Sequence, residues 1–332
     1  MSPQAAVSRP DVQVPVIDLS KHLSGDARAL DDTVEAVRRA SSDVGFFFLR
    51  GHGVPASLTE AMFEASRRFH TLPLDRRMEC RARETPISYL PLGGQTQHTS
   101  LYGKSEHPDR SASFYIKEEY PADHPARAAR APYVFENRWP RDLPGFRETA
   151  LAYFEAMAAL SRVVLRLQAL GLGLQAEALT SHEAFCAFTG NTLRLLQYPP
   201  RDPALEAQFG IGPHTDYGYG TLLAQGNLPG LEILTTEGDW IAAPALPGHL
   251  LFNNGDMCQR WTNDRFRSAP HRVINRSGKT RYSIAFFVNP RADIRLECLP
   301  TCCSPDDPPH YPPLSFGEYF ADIRKRNYTL PQ

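Results

Sequence analysis

The chain has 332 residues, 42% of them hydrophobic, which is enough for a sizeable core in one large β unit with helical additions. Its 36 basic and 37 acidic residues leave a formal charge of −1, so nothing steers it toward nucleic acid or an anionic membrane. The expected ligand is a small neutral or mildly charged molecule, with no obligate protein partner evident.

The start, Met1 to Pro15, is polar and proline-containing, with no apolar core of a signal peptide. No run approaches the roughly 18–20 apolar residues of a membrane span. Six cysteines in so long a chain make no disulfide framework, and the adjacent Cys302 and Cys303 lack zinc-ligand spacing. A soluble, cytoplasmic protein with reduced thiols is expected.

Val14-Pro15-Val16-Ile17-Asp18-Leu19 predicts a short strand. Leu30, Val34, Val37 and Val44 then recur at helical spacing after Asp26, a candidate N-cap, and Gly45 ends that helix. Phe46 to Leu49 predicts a buried strand, and Gly51 to Pro55 a turn in which His52 makes a local hydrogen bond. A second helix carries Leu58, Met62 and Phe69 and stops near Pro73. From Arg81 to Tyr120 the chain is irregular, and His98 and His107 read as exposed loop histidines. A long loop in a compact protein tends to be functional, so the segment from Ser88 to Tyr115 is expected to be mobile and to shape substrate choice. Tyr89 and Phe114 are its candidate substrate contacts.

Ala150, Tyr153, Met157, Leu160, Val164 and Leu167 alternate spacings of three and four, predicting a long helix packed outside the core and capped at Gly171. Asn191 to Tyr198 reads as a strand. Further short strands follow over Gly220 to Leu223, Leu231 to Leu234, Trp240-Ile241, His249 to Phe252, around Arg260-Trp261 and over His271 to Ile274. Glycine, proline and asparagine turns between them indicate a mainly β fold with flanking helices and a double-sheet jelly-roll (double-stranded β-helix) core. A proline-rich tail from Arg291 to Pro313 leads into a helix around Phe316 to Arg326. The expected regions are 1–185, 186–295 and 296–332, forming one structural unit.

The chemistry concentrates between His214 and Ser283. His214-Thr215-Asp216 with a distant His271 is the H-x-D…H donor set that holds non-haem ferrous iron on one face and leaves other positions open. On a strand, residues two apart share a face, so His214 and Asp216 reach one ion. Arg281 and Ser283 repeat that spacing on Arg281 to Phe287, offering a guanidinium and a hydroxyl to one carboxylate. Phe287 shares their face, as a cavity-lining or a core residue.

With Asn254-Gly255-Asp256, Trp261-Thr262-Asn263, His271-Arg272-Val273 and Arg281-Tyr282-Ser283 following His214-Thr215-Asp216 in order, the segment resembles the catalytic core of the 2-oxoglutarate/Fe(II)-dependent dioxygenases, in the branch similar to isopenicillin N synthase. Val14 to Leu19 and Gly45 to Val54 extend the resemblance, which covers about Val14 to Pro290. It implies Fe(II) on His214, Asp216 and His271. It also implies 2-oxoglutarate held by Arg281 and Ser283, dioxygen as oxidant, and oxidation of a small molecule's C–H bond (hydroxylation, desaturation or cyclisation) with release of succinate and carbon dioxide. Tyr198, directly before Pro199, matches a tyrosine that reaches the co-substrate in the family, or is a half-buried aromatic at the strand end. Relatives often carry a glycine where Ser88 stands and an acidic residue where Ala112 stands. Two other readings of such a barrel remain: an oxidase that uses no 2-oxoglutarate and binds a substrate carboxylate on Arg281, and a non-catalytic binder of metal or 2-oxoglutarate.

Overall fold

In this computed structural model residues 13–26, 28–82, 88–102, 107–128, 134–185, 190–200 and 208–328 are described. The N-terminal region opens with β1 (Val16–Asp18) and a short helix, α1 (Ser20–Leu23). The Asp26 carboxylate accepts the Arg28 amide at 3.0 Å just ahead of α2 (Arg28–Asp43). Gly45 closes α2 at φ +76°, and a Cβ there would lie 2.4 Å from the Arg267 carbonyl, so only glycine fits. β2 (Phe46–Arg50), α3 (Ala56–Thr71) and α4 (Leu74–Met78) follow. His52 accepts the Val54 amide on Nδ1 at 3.2 Å, the local bond expected of a turn residue.

The segment expected to be an irregular loop instead carries two strands, β3 (Ser88–Leu90) and β4 (Ala112–Lys117), paired antiparallel. β4 pairs on both sides, with β3 and β5, while β3 forms the edge of the sheet with its side chains buried. After α5 (Pro125–Ala128) comes the long α6 (Phe146–Gly171), with all six residues of the predicted apolar stripe buried. The left-handed residue beyond it is Gly173 at φ +74°, two positions past the expected cap.

Strands then dominate: β5 (Thr192–Tyr198), β6 (Ile211–His214), β7 (Gly220–Ala224), β8 (Leu231–Leu234), β9 (Trp240–Ala243) and β10 (Leu250–Asn254). The segment at Arg260-Trp261, expected as a strand, is the helix α7 (Asp256–Trp261). It lacks β-branched residues and buries Met257, Cys258 and Trp261 on one side. β11 (His271–Val273), β12 (Arg281–Val288), β13 (Arg295–Leu296), β14 (Leu314–Ser315) and α8 (Phe316–Asn327) complete the order. A capping box starts α8: Ser315 Oγ accepts the Glu318 amide at 3.1 Å, and the Glu318 carboxylate accepts the Ser315 amide at 2.8 Å.

Two sheets form the jelly roll. The larger runs β1-β2-β10-β7-β12-β5-β4-β3, with only β1 and β2 parallel, and the smaller runs β6-β11-β8-β9. β13 and β14 pair separately, while strands from the N-terminal region and from the barrel share one large sheet. Its outer face packs α2, α3 and α6 around Phe47, Phe114, Leu193, Leu195, Phe252 and Phe286. Between the sheets lies a second apolar cluster that includes Phe46, Leu196, Tyr198, Ile233, Leu251 and Val273. On the smaller sheet, buried Glu232 is paired with Arg272 at 2.7 Å, and Arg272 stacks 4.1 Å over Trp240. Among the described residues no helix is long and apolar enough to cross a membrane.

Candidate active site

His214 and His271 face each other in register on β6 and β11, ring centroids 4.3 Å apart. Asp216 lies two residues beyond the end of β6, so strand alternation does not bring it to His214. The turn does so, held by the Asp256 amide donating to the Asp216 carbonyl at 2.8 Å. Asp216 Oδ1 sits 3.8 Å from His214 Nε2 and 3.7 Å from His271 Nε2. Among the described residues this is the one group of three potential metal ligands within 4.8 Å of one another.

The surroundings fix which atoms are offered. His214 Nδ1 donates to the Gly212 carbonyl at 2.8 Å and His271 Nδ1 to the Ala269 carbonyl at 3.2 Å. A carbonyl can only accept, so each Nε2 keeps its lone pair for the shared point. Asp216 Oδ2 accepts Thr221 Oγ1 at 2.5 Å and Asn253 Nδ2 at 2.7 Å, leaving Oδ1 toward the histidines. Burial, then the neighbouring His271 imidazole, holds His214 well below the ordinary histidine range. Burial alone would raise Asp216, but the two imidazoles with Asn253 and Thr221 outweigh it and keep the carboxylate ionised. Two imidazoles and one carboxylate on one side of a point suit a divalent non-haem iron.

Arg281 is 1% exposed, and its Nε donates to the Leu228 carbonyl at 3.1 Å. Its guanidinium stacks 4.9 Å over the ring of Tyr198, its cross-strand partner on β5. Nη1 is buried without a hydrogen-bond partner, and among the described residues no carboxylate pairs with Arg281. Burial lowers its basicity, and Tyr198 works against that. Ser283 Oγ, 3.4 Å from Tyr198 Oη, stands on the same strand face. An orphaned guanidinium beside a hydroxyl fits the far carboxylate of 2-oxoglutarate, whereas Arg272 outside the barrel already has its acid.

His214 and Asp216 line a cavity of about 550 Å³ that also reaches Phe287. A larger cavity of about 680 Å³, between Leu72, Trp139 and Arg141, has Glu79, Cys80 and Asp142 in its lining, but among the described residues they form no converging group of three ligands. Tyr89 and Phe114, the expected substrate contacts, lie elsewhere. Phe114 is fully buried against Phe69, ring centroids 4.6 Å apart, and Tyr89 packs on Phe69 at 5.5 Å. Both point to the helices; the cavity is lined from β4 by Tyr115 and Lys117, one residue out of phase. Sequence reasoning predicted the helix α8 but missed that it contributes Phe316, Phe320 and Arg324 to the cavity, and missed the cavity places of Arg194 and Tyr217. Arg194 carried a signal, as the sole charge in the apolar run from Leu193 to Leu196.

The jelly roll and this donor set define a mononuclear non-haem iron oxygenase. The family model of the 2OG-Fe(II) oxygenase superfamily matches residues 189–290, and that of the non-haem dioxygenase in morphine synthesis N-terminal matches 14–142. A 2-oxoglutarate-Fe(II) type oxidoreductase of Emericella nidulans is 34% identical over 323 residues, covering 95% of this chain and 90% of that protein. Validamycin A dioxygenase of Streptomyces hygroscopicus subsp. limoneus is 33% identical over 326 residues, covering 96% and 86%. A full-length Neurospora crassa protein, crystallised in complex with alpha-KG and thymine, superposes with a TM-score of 0.81 at 30% identity, covering 97% of this chain and 99% of that one. The chain belongs to the 2-oxoglutarate/Fe(II)-dependent oxygenase superfamily, in its isopenicillin N synthase-like branch, and is an oxidoreductase that uses both Fe(II) and 2-oxoglutarate.

Proposed function

We propose that His214, Asp216 and His271 hold one Fe(II), and that Arg281, Ser283 and Tyr198 hold the far carboxylate of 2-oxoglutarate. A small molecule would then be oxidised at a C–H bond in the cavity beside Phe287. The observation that carries this reading is the buried, unpartnered Nη1 of Arg281 in the same barrel as the three converging ligands. A guanidinium cannot escape burial by losing its proton, so it calls for an anion. Iron and 2-oxoglutarate, when bound, supply the oxidising power for C–H cleavage, the co-substrate leaving as succinate and carbon dioxide.

The chain's own residues would bind, aim and exclude water. Thr221 and Asn253 keep Asp216 turned so that Oδ1 is its free oxygen. The apolar cluster between the sheets keeps bulk water from the Arg281 end, where a charge-assisted bond gains strength. Phe287, half-buried on the cavity wall, offers the substrate an apolar surface. A cavity of about 550 Å³ suits a small molecule, and the relatives named for validamycin A or crystallised with thymine support that class. The regions 1–185, 186–295 and 296–332 are read as one working unit, which the sheet shared by the first two and the cavity residues of α8 support. Five cysteines among the described residues are free, which supports the reducing cytoplasm as its compartment.

The test is oxygen uptake with Fe(II), ascorbate and a small-molecule library, with succinate measured in parallel. Succinate should form in step with oxygen uptake and depend on added 2-oxoglutarate. Oxygen uptake and product without 2-oxoglutarate would overturn the assignment of Arg281.

A further inference from the structure

The cavity is lined by cations with which, among the described residues, no carboxylate forms a direct ion pair. Arg194, 5% exposed on β5, donates from Nε to Ser113 Oγ and from Nη2 to Gln95 Oε1, both at 2.9 Å. Its Nη1 has no hydrogen-bond partner among the described residues, and its guanidinium lies 4.8 Å over the Tyr115 ring. Lys117 donates to the Gly190 carbonyl at 3.1 Å and to Thr192 Oγ1 at 2.5 Å, both neutral oxygens. Arg324 reaches the same cavity from α8 and makes no ion pair among the described residues.

The acids nearby are committed. Asp293 is paired with Arg291 at 2.7 Å, and Glu318 with Arg295 at 2.8 Å. Asp216 faces the two imidazoles. Asp109, buried behind the wall, accepts the Gly212 amide at 2.9 Å and the Gln97 amide at 3.4 Å, and makes no ion pair with Arg194. Burial pushes the Asp109 carboxyl up to about 7 against the pull of the Gly212 amide and the Arg194 charge, so it answers Arg194 only in part and without a direct ion pair. Three cations thus face a space that also holds the apolar surfaces of Phe287 and Tyr217. Asp216, Asp293 and Glu318 line the same space but are turned to the partners named above, which leaves the positive groups to an incoming molecule.

We propose that the molecule oxidised here is a small organic carboxylate, whose carboxylate seats on Arg194 and whose apolar body lies along Phe287 and Tyr217. Lys117 and Arg324 add to the attraction. This deepens the oxygenase reading above and rests on it. The second carboxylate site is distinct from Arg281, which serves the co-substrate.

The experiment is calorimetric binding to the full chain loaded with Mn(II) and saturating 2-oxoglutarate, so that Arg281 is filled and no turnover occurs. The probes are matched pairs of acid and primary amide: phenylacetate, indole-3-acetate and cyclohexanecarboxylate, each with its amide. At least one acid should bind about tenfold more tightly than its amide, as one charge-assisted bond implies. Arg194→Gln should erase that preference, Arg194→Lys should keep part of it, and Arg281→Lys should leave it unchanged. Equal affinity for every acid and its amide, or an intact preference in Arg194→Gln, overturns the proposal. Should Arg194→Gln not fold, Arg324→Gln decides: the acid preference should fall about threefold, and an unchanged preference overturns it. Binding of 2-oxoglutarate is measured first. Its failure would sink the oxygenase reading, whereas normal 2-oxoglutarate binding without acid preference sinks this inference alone.

Discussion

On β4, Phe114 and Ile116 point to the helices, while Tyr115 and Lys117 point into the barrel. The same alternation repeats on β5, where Leu193 and Leu195 face outward and Arg194 lines the cavity. On β12, Ile284 and Phe286 face outward, opposite in parity to Arg281, Ser283 and Phe287. One face of the large sheet is an apolar helix-packing surface whose residues matter by volume. The other mixes apolar residues with buried groups held short of full hydrogen bonding, which matter by what they can still bind. Changes on the two faces should therefore separate cleanly into losses of stability and losses of ligand.

The largest expected effect is inside the barrel. Removing a hydrogen-bond partner of a metal ligand typically costs about 10–100-fold in metal affinity, and His271→Ala removes the ligand itself. It should lose stoichiometric iron and turnover while keeping its far-UV circular dichroism. Iron retained at one equivalent, with activity, would break the assignment. On the opposite face, Phe114→Ala empties the site between Phe69 and Phe146 and should cost about 3–5 kcal/mol in urea unfolding. Its KM, measured where the protein stays folded, should not move; a raised KM with unchanged stability would return Phe114 to the substrate.

Arg281→Lys keeps the charge but loses the planar fork. Half-saturation by 2-oxoglutarate should rise by the equivalent of about 1.5–3 kcal/mol, with iron content unchanged. An unmoved half-saturation would place the co-substrate carboxylate elsewhere in the barrel. The smallest effect is expected at Ser88, which sits at φ +63° with its Oγ accepting the Arg138 amide at 2.9 Å. Glycine there relieves about 1–2 kcal/mol of left-handed strain and forfeits a hydrogen bond of similar size. Ser88→Gly should thus shift unfolding by less than about 1 kcal/mol and leave both ligand affinities alone. A larger loss would mean that the bond to Arg138 outweighs the backbone cost.

The amino-acid sequence by itself determined the amphipathic helices, most of the core strands, and the residues we propose for the iron and 2-oxoglutarate sites. Those signals are local: a 3.6-residue stripe in α6, a buried run such as Phe46 to Leu49, and His214, Asp216 and Arg281, Ser283 at short spacings. It could not decide which way β4 faces. Both sides of that strand are buried, so Ala112 to Ile116 show no polar and apolar alternation to read. Nor could it reveal that Asn253 and Thr221 aim Asp216, or that Arg194, Lys117 and Arg324 line one cavity with His214 and Asp216. The strand order β10-β7-β12-β5-β4 brings together residues far apart in the chain, and α8 arrives from its far end. Such neighbours are set by which strands pair and how the helices cover them, a property of the whole fold that no short stretch of sequence contains.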